Sequence, residues 1–233
     1  MTDLSALIRD NARRWSQMKI ICAADMDRVA CRLVASGAKS RYKEIEDATG
    51  VPWPVIAVIH EREASQNFFA NLAQGDPFDK VSTHVPKGRG PFPSFKAAAI
   101  DALTSCPPYA AKWKDWSVGG ALTLLEQYNG IGYYRRGLPS PYVWAGTDQY
   151  VSGKYIADGV FDPSVVDKQL GCAGLLQAMT KIDHTITLTG LTLSMPQVKP
   201  PPEARPASQL QPPSRPSIWA AVLSSILSIF KGK

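Results

Sequence analysis

Residues 55–78 read VIAVIHEREASQNFFANLAQGDPF: an apolar run that ends in a knot of ionisable residues and then opens into a polar, glycine-containing loop. Val55, Ile56, Val58 and Ile59 make the front of the run hydrophobic on nearly all sides, which predicts a helix buried inside a larger domain. Glu63 follows Ile59 by four positions, shares its face and therefore points inward, where an unpaired carboxylate has its pKa raised. A carboxylic acid kept protonated at the rim of an apolar pocket can deliver a proton near neutral pH, which is what cleavage of a glycosidic bond requires. Glu61 lies about 200° away around the same helix and reads as the solvated carboxylate, free to pair with Lys or Arg. His60-Glu61 opens like a zinc-protease signature, but the position four after His60 is Ala64, so no metal site follows. His60 itself reads as a helix histidine near the domain surface.

The 233 residues, 45% of them hydrophobic, suffice for one good-sized core plus an appendage. Cys22, Cys31, Cys106 and Cys172 show neither CxxC spacing nor histidine partners at zinc-site distances, and read as buried thiols of a reducing compartment. The start, MTDLSALIRDNARRWSQ, lacks the apolar core and small-residue cleavage site of a signal peptide, which predicts a chain made in the cytoplasm. The formal net charge of +6 is unevenly spread: residues 196–233 carry five Lys/Arg against one acid, whereas residues 51–195 carry twelve of each sign. Such a tail suits anionic, phosphate-rich surfaces. No recognisable nucleic-acid motif accompanies it, so nucleic acid is not an expected partner. No cofactor is expected.

From Leu4 to Ser36 apolar residues recur near helical spacing, as one long helix or two shorter ones, with Gly37 as the expected stop. A short helical segment near Tyr42–Ala48 closes at Gly50, and Pro52 and Pro54 start the helix that carries Glu63. Val81–Pro91, rich in Gly and Pro, predicts a short β-hairpin or an ordered loop. Ser94 caps the next helix, Phe95–Leu103, which Cys106-Pro107-Pro108 stops. Val118–Tyr128 is helical and ends at Asn129-Gly130. Between Ile131 and Asp158 the rings of Tyr133, Tyr134, Tyr142, Trp144, Tyr150 and Tyr155 cluster with glycine, either lining a carbohydrate site or packing a loop on itself. Asp162 and Pro163 are expected to open a helix through Met179, and Thr185–Leu193 reads as a strand or as the frayed end of the globule. The domain organisation is thus a globular domain over 1–195, a Pro-rich linker over 196–216, and a C-terminal apolar helix over 217–233. That last run is short of the ~20 residues that span a bilayer. Its serines give it a polar side, so it either lies in a membrane surface or docks on the body or on another copy.

Over roughly Trp15–Met179 the chain resembles the lysozyme-like superfamily of peptidoglycan-cleaving enzymes: goose-type lysozymes, lytic transglycosylases and phage endolysins. Glu63-Ala64-Ser65 matches the superfamily's catalytic glutamate at the end of a buried helix, followed within two residues by serine or glycine. Tyr128-Asn129-Gly130 resembles the turn that ends a cleft-lining helix in transglycosylases. Val85–Phe92 and Ser140–Trp144 resemble recurring blocks of bacterial and phage lysozyme-family proteins. The glycine-leucine-methionine-glutamine block of many transglycosylases is missing after the glutamate, which favours attack by water over attack by the muramic acid hydroxyl. Goose-type enzymes carry an aspartate downstream of the glutamate, and Asp76 stands at that separation; on its residues alone it is also a turn-former before Pro77.

The resemblance implies a mainly α (α+β) fold, lysozyme-like, with a helical body and a small β-hairpin lobe. It also implies a muramidase acting on peptidoglycan glycan strands after release to the cell wall; the membrane or lipopolysaccharide contact expected of residues 217–233 comes from their own charge and apolar pattern, outside the resemblance. The expected catalytic residues are Glu63 and Asp76. The expected substrate contacts are Ser65, Thr83, His84, Arg89, Tyr128, Asn129, Tyr133, Tyr142 and Trp144, with Lys87 and Arg89 meeting the glycan's carboxylates. A transglycosylase, or a binding module of the same fold, is the alternative.

Overall fold

The computed structural model describes residues 4–188; the expected linker, the C-terminal apolar helix and residues 189–193 lie outside the described residues. Within them the chain is mainly helical, with one two-stranded antiparallel sheet. Helix α4 (Trp53–Ala64) is the axis of the core, and every residue from Val55 to His60 is fully buried. Pro52 is its N-cap and Pro54 sits in its first turn, where a missing N–H costs nothing. Around it pack α2 (Ala23–Val34), α3 (Ser36–Thr49), α5 (Phe95–Ser105), α6 (Val118–Tyr128) and α9 (Cys172–Ile182), which together close one hydrophobic core.

The Leu4–Ser36 region resolves into two helices, α1 (Ser5–Gln17) and α2. Gly37 does not stop a helix: it lies in the first turn of α3, which begins at Ser36 and runs to the left-handed Gly50. The stop falls earlier, at Ala35, whose ψ of 138° is extended. Asn11 donates to Thr123 across the buried contact of α1 with α6 (3.0 Å). Ser94 and Ser117 cap α5 and α6 as side-chain acceptors, from Ala97 N–H and Gly120 N–H.

Two elements depart from the expected layout. Residues 81–91 take the ordered-loop form of the two expected for them, and the small sheet, expected as a hairpin lobe, lies elsewhere, between β1 (Lys154–Ala157) and β2 (Val160–Asp162). The final helix begins at Cys172, not at Asp162; the Asp162 carboxylate accepts from Ser164 N–H and Oγ, so this aspartate caps a turn instead of a helix. Beyond α9 the chain forms no strand up to Leu188, although Ile186 and Leu188 are buried against the core. Cys106 and Cys172 are buried as expected, whereas Cys22 is half-buried and Cys31 exposed; all four are free thiols.

Candidate active site

Glu63 occupies the last turn of α4, one turn beyond the fully buried Ile59, and is itself half-buried. Its Oε1 accepts a hydrogen bond from the Tyr142 hydroxyl (2.9 Å). Burial pushes the carboxyl up to about 7, against the opposing effects of that hydrogen bond and the Arg62 charge. The Tyr128 and Tyr142 phenols are both driven well above their ordinary range, first by burial and then by the neighbouring Glu63. Tyr142 comes from the short α8 (Pro141–Trp144), which follows the single turn α7 (Gly132–Arg135), and Tyr128 from the end of α6, so helices distant in sequence supply the surroundings of one carboxyl.

The loop that follows α4 folds back over it. Gly75 adopts a left-handed φ of 71°, and a Cβ there would stand 2.7 Å from the Glu63 carbonyl oxygen. Tyr128 donates to Leu72 O (3.0 Å), tying this loop to the end of α6. Asp76 comes next, and its carboxylate is fully engaged. Oδ2 accepts from the Thr83 and His84 backbone N–H groups (2.9 and 3.1 Å), and Oδ1 is 2.7 Å from His84 Nδ1. The His84 bond, followed by the two backbone bonds, holds Asp76 below the usual carboxylate range. The His84 ring is thereby fixed by its Nδ1 edge, with Nε2 on the opposite, exposed edge of the ring.

Beside this centre lies a groove of about 550 Å³. Its walls include Asn129, Gly130 and Tyr133 on one side, Lys154 and Tyr155 of the hairpin on the other, and Arg62 at the α4 end. Glu63 is not itself a lining residue; Arg62 and Pro141, the chain neighbours of Glu63 and Tyr142, are. Arg62 stacks on the Tyr142 ring (4.7 Å) and pairs with Asp167 (3.0 Å), the two charged side chains being only 5% and 3% exposed. Lys154 reaches the other Asp167 oxygen (3.1 Å), so this buried carboxylate pins the hairpin to α4 next to Glu63.

The expected contact residues are thus dispersed. Asn129 and Tyr133 line the groove, Tyr142 touches Glu63, and Tyr128 braces the loop over it. Thr83 and His84 sit with Asp76 on their own loop. Ser65 caps α4 in a left-handed conformation and borders a separate hollow of about 300 Å³ with Arg32 and Glu61. Arg89 does not face a ligand: its Nε and Nη2 close bidentately on Asp101. Trp144 is no sugar platform either, being fully buried in the core. Of the ring cluster, Tyr133, Tyr142, Trp144 and Tyr150 are buried and pack the fold. Tyr155 is half-buried along the groove, against Tyr133 (5.1 Å) and Phe161 (5.4 Å).

Glu61 pairs with Arg32 (3.2 Å), as its face of the helix predicts. His60 corrects its expectation, for it is fully buried. Its Nε2–H donates to Asn67 O (3.0 Å) and its Nδ1 accepts from Tyr42 (2.9 Å), while burial lowers the imidazole to about 4. Glu126 went unforeseen. It is buried on α6 and raised to about 7 by burial. The signal was present, since Glu126 follows the fully buried Leu122 by four positions, as Glu63 follows Ile59.

No family model, no curated protein and no solved structure matches this chain.

Proposed function

We propose that the protein is a peptidoglycan-cleaving glycosidase of the lysozyme-like kind, cutting the MurNAc–GlcNAc β-1,4 linkage with Glu63 as the acid. The observation that carries this reading is the Glu63 carboxyl itself, half-buried at the end of a buried helix, bonded to Tyr142 and raised to about 7. Protonated below that pH, it gives its proton to the glycosidic oxygen as the C1–O bond breaks. Water adds to C1 from the opposite side and its proton passes to solvent, while the Glu63 carboxylate is reprotonated from solvent before the next turnover. The loop of Thr83 and His84, ordered by Asp76, holds that water, which makes Asp76 a positioning residue acting through His84. One proton-donating carboxylic acid with a water-positioning loop corresponds to an inverting or single-acid mechanism.

The partner in this reading is the glycan strand of the cell wall, reached after release from the cytoplasm as a phage endolysin's substrate is. The basic, apolar stretch 217–233 adds contact with membrane or lipopolysaccharide. Digestion of purified peptidoglycan followed by mass analysis of the products tests the reaction. Reducing muramic acid ends are expected; anhydro ends would mean transglycosylation, and intact strands would reduce the protein to a binder.

A further inference from the structure

Phe69 is 76% exposed, an unusual position for a large apolar ring, and its backbone is held on both sides. Its N–H donates to Asn67 Oδ1 (3.0 Å) and its carbonyl accepts from Phe78 N–H (3.1 Å), so the ring is presented by a fixed turn. It stands at a concave groove of about 760 Å³, larger than the one beside Glu63 and within the usual size of ligand sites. The floor is aromatic: Phe68 and Phe95 meet edge to face (4.9 Å), and Phe78 joins them. The rim is polar and on balance cationic. Arg41 lies over the Phe68 ring (4.5 Å) and makes no ion pair among the described residues, while Lys96 pairs with Glu44 at the surface (3.2 Å). Asn67 spends its amide oxygen on Phe69 and retains its NH2 as a donor.

Rings beneath, donors at the edge and an uncompensated guanidinium match a saccharide, whose ring faces are apolar and whose rim is hydroxylated, when it carries carboxylates. A lipid-inserting patch would instead project from a convex surface. We propose that the groove between α3, the 66–69 turn and the start of α5 is a second glycan-binding site, with Phe69 as its stacking platform and Arg41 as its carboxylate contact. The proposal deepens the glycosidase reading and rests on it for the identity of the glycan.

The test is co-sedimentation of the full-length, catalytically silent Glu63→Gln protein with purified peptidoglycan sacculi. Adding Phe69→Ala is expected to weaken binding about tenfold, equivalent to about 1.4 kcal/mol, and Phe69→Trp to restore it. Arg41→Gln is expected to weaken binding to sacculi and to leave binding to uncharged chitin unchanged. Sacculus affinity indifferent to Phe69 overturns the site while leaving the cleavage reading intact. Phe69-dependent binding to anionic phospholipid vesicles, with sacculus binding unaffected, overturns it in favour of a membrane contact. An equal loss on chitin with Arg41→Gln overturns the carboxylate assignment. If wild-type protein leaves strands uncut while Phe69-dependent binding persists, the cleavage reading fails and the groove stands.

Discussion

Glu63 sits between two opposing influences: the apolar end of α4 favours its protonated form, whereas the Tyr142 hydroxyl and Arg62 favour the charged one. Removing the hydrogen bond therefore raises the carboxyl further. In Tyr142→Phe the alkaline limb of the activity profile is expected to move above its wild-type position near pH 7, which a rate–pH series checks. Asp167 acts in the other direction, because it neutralises the Arg62 guanidinium beside Glu63. Asp167→Asn should move the same limb downward, and should cost about 3 kcal/mol in urea unfolding by leaving a buried arginine partly uncompensated. The inward direction of Glu63 was legible from the i, i+4 relation to Ile59. Its partner was not, because Tyr142 is 79 residues away and only the tertiary fold brings the two together. For His60 helical position alone misled, since the burial of its whole helix put the imidazole inside.

Elements with strong local signals could be read in advance. The Ser94 cap, the left-handed Gly50 and the Pro52/Pro54 start all stand where their backbone chemistry requires. Asp162-Pro163 carried the same signature for a helix and formed a turn, because a side-chain cap serves either geometry and long-range packing decides. The hairpin at 154–162 was hidden by its own aromatics, which signal sheet and sugar site alike. The loop over Glu63 makes the sharpest element-level prediction. Gly75 combines a positive φ with contact against the Glu63 carbonyl, so Gly75→Ala must displace the loop or strain it. A loss of about 1–3 kcal/mol in unfolding free energy is expected, with activity falling more than stability alone explains. The measurement is a denaturant titration beside a rate assay at one pH.

At the scale of the molecule, the buried ionisable groups give stability an uncommon dependence on pH. Glu63 and Glu126 are both raised from an ordinary 4.5 to about 7, so between those values the folded chain holds protons that the unfolded chain has released. Their contribution is complete below about pH 4.5 and is lost as pH rises through 7. His60 opposes them: lowered from 6.5 to about 4, it makes the fold gain stability as pH climbs through that interval. Two carboxyls against one imidazole leave a net decline from about pH 5 to pH 7. Glu63→Gln removes one carboxyl's share, and should gain on the wild type by on the order of 2 kcal/mol between pH 5 and pH 8 in urea unfolding. The same burial that raises the Glu63 carboxyl thus lowers stability at neutral pH.

The most direct measurement is the rate of reducing-end release from purified peptidoglycan as a function of pH, with Glu63→Gln run beside the wild type. The account predicts wild-type cleavage below pH 7 that declines as pH rises through about 7, and a loss of at least about 100-fold in the variant at every pH. Equal release by the two proteins, or a wild-type rate that keeps climbing well above pH 7, would contradict it.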